Sequence, residues 1–169
     1  PVIVHAVTVE DMLRAVDLGA SHFVHAPRRG SIAENQGGRV LRAASVPVST
    51  TVGGSNVEAA LGALANVRHL WDAGVIVAFG TDQTSAGSAA EALAHEIGVL
   101  SMVLSPAEII TSLTRNGAAF LDLSDEIGTL ESGKLADIVI IDGDPLADVY
   151  QLLNVKVVIK GGEIVVDNR

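Results

Sequence analysis

Two histidines and one aspartate in this chain share a position rather than a motif. Each stands where an apolar, β-branched run gives way to a loop: His5 after Pro1-Val-Ile-Val, His25 after Ser21-His-Phe-Val, and Asp82 after Val75-Ile-Val-Ala-Phe-Gly-Thr81. Imidazole nitrogen and carboxylate oxygen together suit Zn²⁺ and similar borderline divalent ions. A carboxylate at the same place can also carry a proton during hydrolysis. The chain has no cysteine, so any metal site must be built from His, Asp or Glu. Against this stands the plainer reading of each residue as a hydrogen-bonded strand end, and on spacing alone both stay open. His22 opens its run with the opposite pleat parity to His25, which predicts that the two face different sides. His69 lies in mid-helix, and His95-Glu96 at helical spacing reads as a polar helix face. Thr81 and Glu96 are kept as supporting candidates behind the three.

For His5, His25 and Asp82 to meet, their strands must run parallel, because only then do all C-terminal ends lie on one side of a sheet. The order of elements fits. Apolar runs at 1–6, 21–26, 46–52 and 75–82 alternate with helical patterns. Thr8, Asn56 and Ser105-Pro106 are helix starts, and Gly19 and Gly74 are stops. A further helix is expected from Ser88 to about Val103. This is the strand-then-helix rhythm of an α/β fold with a parallel sheet. From Ile127 onward the pattern turns all-β, with a strand at 136–142, a turn at Asp142-Gly-Asp-Pro145, and a hairpin closed by Gly161-Gly162.

Size and charge narrow the options. The 169 residues, 49% of them hydrophobic, suffice for one core but fall short of the roughly 250 of a whole (β/α)₈ barrel. A net charge of −9 with no basic cluster beyond Arg28-Arg29 argues against nucleic acid as a partner. No apolar run reaches the ~18 residues of a membrane span, and no signal peptide is visible, which makes the cytoplasm the default compartment.

The strings PVIVHA, HFVHAP, VIVAFGTD and GTLESGKLADIVIIDGDPL, in this order over nearly the whole chain, resemble the amidohydrolase superfamily, in particular its imidazolonepropionase-like and prolidase-like branch. The resemblance implies the second half of a TIM-type (β/α)₈ barrel, strands five to eight, over 1–126. It also implies part of a small β-sandwich over 127–169, which Gly133–Asp137 enters. It makes His5 and His25 the metal ligands after strands five and six. Asp82 becomes the strand-eight carboxylate, both metal ligand and catalytic proton carrier. The chain departs from the family at Val103, where a glycine is usual, and at Asp122-Leu123, where Gly-Leu is frequent. The family's His-x-His pair and its carboxylated lysine have no counterpart here; the lysines are Lys134, Lys156 and Lys160.

The implied function is metal-dependent hydrolysis of an amide, cyclic amide or dipeptide-like C–N bond in a small-molecule substrate. One or two ions, Zn²⁺ first among them, are expected in the complete enzyme and weak or no binding in this chain alone. Specificity is expected in the loops 27–35, 53–56 and 83–87. The rival is a non-catalytic half-barrel that folds or oligomerises without activity. A phosphate- or sugar-binding sheet protein, resting on Gly53-Gly-Ser-Asn56, is fainter. A barrel cut in half leaves open strand edges at Pro1–Val4 and Val75–Ala78. The expected partner is therefore a second copy of the chain or the missing N-terminal half.

Overall fold

The protein is described by a computed structural model that covers residues 1–33, 36–52, 57–82 and 88–169. Strands β1 (Ile3–His5), β2 (His22–Val24), β3 (Val48–Ser49) and β4 (Val77–Ala78) alternate with helices α1 (Val9–Asp17), α2 (Gly37–Ala43) and α3 (Val57–Asp72). The four strands form one parallel sheet in the order β1-β2-β3-β4. All are shorter than the apolar runs that announce them. Each run stops pairing where the chain turns out of the sheet, and Phe23↔Val48↔Val77 is the register row that crosses β2, β3 and β4.

That row lies fully inside, clustered with Met12, Leu41, Leu70, Ile97, Leu100 and Ile109. In the adjacent row the two end members are exposed, Ile3 by 56% and Ile76 by 37%, while His22 and Pro47 between them are buried. The helices thus cover one face of the sheet, and at the two edges of the other face apolar side chains meet water.

Helix starts coincide with side-chain caps. Thr8 accepts from the Asp11 amide (3.0 Å). Ser88 and Ser105 form reciprocal capping boxes with Glu91 and Glu108 at the heads of α4 (Ala89–Leu100) and α5 (Pro106–Leu113). The Asn56 cap lies outside the described residues. A short α6 (Arg115–Phe120) comes next.

The α5–α6 junction corrects one expectation, an open edge at β4. The Phe79 amide donates to the Ser112 carbonyl (3.1 Å), and Asn116 Nδ2 donates to the Val77 carbonyl (3.0 Å). These are groups of the strand's outer edge, since Ile76 and Ala78 direct their carbonyls to β3. A helix junction therefore takes the place of a neighbouring strand. β1 is different, with Val2 and Ile3 exposed along the other edge.

The C-terminal part holds β5 (Ile138–Ile141), β6 (Val155–Lys160) and β7 (Glu163–Asp167) in one antiparallel sheet, order β5-β6-β7, with the predicted hairpin at Gly161-Gly162. It is not all-β: a 3₁₀ turn, Val149–Leu153, intervenes. Asp148 caps it by accepting from the Tyr150 amide (3.0 Å), and Tyr150 lies against Gly98 of α4, where a Cβ would stand 2.7 Å from its hydroxyl. Among the described residues no helix is long and apolar enough to cross a membrane.

Buried Asn66 of α3 holds the segment after β2. Its Oδ1 accepts from the Ile32 amide (2.9 Å), and its Nδ2 donates to the carbonyls of Pro27 (2.9 Å) and Gly30 (3.0 Å). One turn earlier, Gly62 lies so close to this segment that an added Cβ would stand 2.3 Å from the Arg28 carbonyl oxygen. Backbone yields less readily than a side-chain tip, so Gly62→Ala is expected to destabilise the protein by about 1–3 kcal/mol. Denaturant unfolding measures this, and an unchanged midpoint would show that α3 and the segment do not pack so closely.

Helix α5 is tied to α3 through Glu108, which accepts from Arg68 (3.1 Å) and from the Ser105 amide (2.7 Å). Burial pushes the Glu108 carboxyl up, but the Ser105 and Arg68 hydrogen bonds outweigh it and hold the group below the usual carboxylate range. A carboxyl that is more acidic when folded stabilises at pH values above its unfolded pKa, and that contribution is lost as pH falls through the folded value. Glu108→Gln is therefore expected to lower the melting temperature at neutral pH and to flatten its decline below about pH 4.5. Parallel decline of both proteins in acid would show that Glu108 does not carry this dependence.

Candidate active site at the strand exits

Strands β2, β3 and β4 each leave the sheet through a non-glycine residue with left-handed backbone: His25 (φ 72°), Thr51 (φ 47°) and Asp82 (φ 47°). Histidine and aspartate adopt this region more readily than most side chains, whereas for β-branched threonine it is an outlier. The His5 and His25 rings meet edge to face with centroids 4.6 Å apart. His25 Nε2 lies 3.8 Å from Asp82 Oδ2. The structure therefore brings His5, His25 and Asp82 together at one end of the sheet.

The parity argument for the histidines needs correction. His22 pairs with Ile3, the pleat partner of His5, so simple alternation would set His25 on the opposite face from His5. The left-handed turn at residue 25 breaks the alternation and swings the ring back toward His5. His22 stays at the opposite end of the strand, buried, with Nδ1 3.0 Å from Ser21 Oγ and its ring against Phe120.

His25 is nearly enclosed, its side chain 11% exposed, while that of Asp82 is 54% exposed. Burial pushes the His25 pKa below its ordinary value; Asp82 pulls it up, and His5 and Arg28 push it down. The net shift is downward, which favours the neutral ring with a lone pair on one nitrogen. The other side of the ring is taken: Nδ1 contacts the Thr51 hydroxyl.

The exit of β3 is the junction of this region. The Ala26 amide donates to the Thr50 carbonyl (3.1 Å), and the Thr51 amide donates to the Gly80 carbonyl (3.0 Å). The Val52 amide donates to Glu96 Oε1 (2.9 Å). Gly80 has no room for a side chain, since an added Cβ would lie 2.3 Å from Ser49 Oγ and 3.0 Å from the Thr51 methyl. Glu96 is 1% exposed, which overturns its reading as part of a polar helix face; only His95 of that pair is exposed. Thr81 stands part-buried between Gly80 and Asp82. Most of the loops expected to set specificity, 34–35, 53–56 and 83–87, lie outside the described residues.

Thr51 and Asn66 escaped the sequence reading. A signal for Thr51 existed: 46–52 was the one strand whose exit held no chemical candidate, yet it carries a Thr-Thr pair where its neighbours carry His and Asp. Two imidazoles and a carboxylate match the donors that a borderline divalent ion prefers. Among the described residues, however, no three His, Asp or Glu side chains close around a single point. The donor chemistry fits a metal, and the three residues by themselves form a partial ligand set.

The chain is 33% identical over 141 residues to an imidazolonepropionase from Alkaliphilus oremlandii, a match covering 80% of this chain and 33% of the relative. A crystal structure of an amidohydrolase superposes with a TM-score of 0.82 at 27% identity, over 98% of this chain and 44% of the other. A Xaa-Pro dipeptidase with bound methionine in its active site gives a TM-score of 0.73 at 26% identity, over 96% and 44%. The chain thus spans about a third of the length of the curated relative and under half of the solved structures. The Amidohydrolase family model matches residues 4–165, and with that match the chain belongs to the amidohydrolase family, in its imidazolonepropionase- and prolidase-like branch.

Proposed function

We propose that this chain is the C-terminal portion of a metal-dependent amidohydrolase, barrel strands five to eight over 1–126 and part of a β-sandwich over 127–169. The substrate class is a small molecule with an amide, cyclic amide or dipeptide-like C–N bond. The observation that carries the reading is the meeting of His5, His25 and Asp82 at the exits of parallel strands, with ring centroids 4.6 Å apart and a carboxylate 3.8 Å from His25 Nε2. The imidazolonepropionase and dipeptidase relatives support the bond type, since both names denote enzymes that open a C–N bond.

His5, His25 and Asp82 would hold the ion, most readily Zn²⁺. A divalent ion there supplies Lewis acidity toward a carbonyl and makes water a nucleophile near neutral pH. Asp82 would take the proton of the attacking water at its carboxylate and deliver it to the leaving nitrogen. Its exposure on the open side of the site suits contact with solvent and substrate, and enclosed His25 is suited to remain fixed. Asp82→Asn in the intact enzyme keeps the shape but removes the base, and kcat is expected to fall ~10²–10⁴-fold. A near-normal kcat would move the role to another carboxylate.

The remaining ligands belong to chain that pairs with β1 and covers the wet face of the sheet, either the N-terminal half of the same protein or a second copy of this chain. For residues 1–169 alone, elemental analysis after dialysis is expected to find zinc well below one equivalent, and sedimentation to find self-association. Stoichiometric zinc on a stable monomer would overturn both expectations and, with them, the half-barrel reading.

A further inference from the structure

The exit of β3 carries no group that has been given a chemical task, yet it is the most constrained stretch beside the site. Thr51 holds a left-handed backbone that a β-branched residue adopts only under strain. Such a conformation persists only where its surroundings over-determine it. Here they do. Thr50 is tied to Ala26, the Thr51 amide to Gly80, and the Val52 amide to Glu96 Oε1 (2.9 Å), a carboxylate that α4 carries into the interior at 1% exposure. The result of the turn is that the Thr51 hydroxyl meets Nδ1 of His25.

We propose that Thr51 is the positioning residue of His25 and that Glu96, through the Val52 amide, holds Thr51 in place to act so. We assign the Thr51 oxygen as the acceptor from Nδ1–H, a contact that holds the rotation of the ring and selects this tautomer. That leaves the Nε2 lone pair facing Asp82 and the space before it. A partner on the far nitrogen is how ligating imidazoles are generally oriented, and its loss costs on the order of 10–100-fold in metal affinity. The proposal deepens the reading of His25 as a metal ligand and rests on it for its consequence, but not for the geometry of the ring.

Two measurements on the intact protein separate these. The first needs no metal: ¹⁵N chemical shifts of the His25 ring in the metal-free protein report which nitrogen bears the proton. The Nδ1–H form is expected in the wild type and in Thr51→Ser, which keeps the hydroxyl. It is expected to give way to a mixture or to Nε2–H in Thr51→Val, which keeps the shape without the hydroxyl. Glu96→Gln, still an acceptor for Val52, is expected to behave as wild type, and Glu96→Leu as Thr51→Val. The second is zinc affinity by competition with a chromophoric chelator, expected to fall ~10–100-fold in Thr51→Val and to stay within about threefold in Thr51→Ser. An unchanged tautomer in Thr51→Val would overturn the proposal. So would a Glu96→Gln protein that resembles Glu96→Leu, or, should the leucine variant not fold, one that has lost the wild-type tautomer. If the wild type shows the expected tautomer but binds no zinc, the positioning of His25 stands and its reading as a metal ligand fails.

Discussion

The whole site depends on how three adjacent strands leave the sheet. Three of the four parallel strands turn out of the sheet through one residue with positive φ, none of them glycine. Each such residue costs conformational energy, which the surroundings must offset. Ladder-like hydrogen bonds continued past the last paired residues do so: Ala26 to Thr50, Thr51 to Gly80, Val52 to Glu96. The consequence is chemical. A residue that would have kept to its strand's pleat and pointed toward the helices, His25, is delivered instead to the face that carries His5.

Three buried polar side chains act as joints between elements. Asn66 holds the segment after β2, Glu96 the exit of β3, and Asn116 the outer edge of β4. In every case the partner is backbone that regular structure leaves unpaired: a loop carbonyl, a strand-exit amide, an edge carbonyl. An unpaired backbone group in the interior costs about 1–3 kcal/mol, so each joint is worth more for the unpaired group it prevents than for the hydrogen bond itself. Asn66 and Glu96 fasten the segments just beyond β2 and β3, at the end of the sheet that carries the site, and Asn116 fastens the first residue of β4.

The asymmetry of the sheet points the same way as the partial ligand set. Helices pack on one face; on the other, Ile3 and Ile76 meet water, and β1 has an exposed edge beyond it. The C-terminal sheet likewise leaves apolar side chains outward on both of its sides, among them Val139, Ile140, Ile164 and Val165. Apolar surface on this scale is the kind that a contact with further chain would bury.

Local chemistry written into the sequence was legible by itself. The strand-then-helix rhythm, the serine and threonine caps, the Gly-Gly hairpin and the placing of His5, His25 and Asp82 at strand ends all arise from neighbours a few residues apart, and all reappear in the structure. The strings shared with the amidohydrolases carried the family. The features that only the tertiary structure decided depend on groups that are distant in sequence. The closing of the β4 edge needs Asn116 to reach Val77, 39 positions away, and the burial of Glu96 needs Val52, 44 positions away. The side on which His25 lies was beyond a parity argument, because parity assumes an unbroken pleat and a single positive φ reverses it. Periodicity reports which face a regular element turns inward; where the chain leaves regularity, the answer belongs to the groups that pack and hydrogen-bond against it.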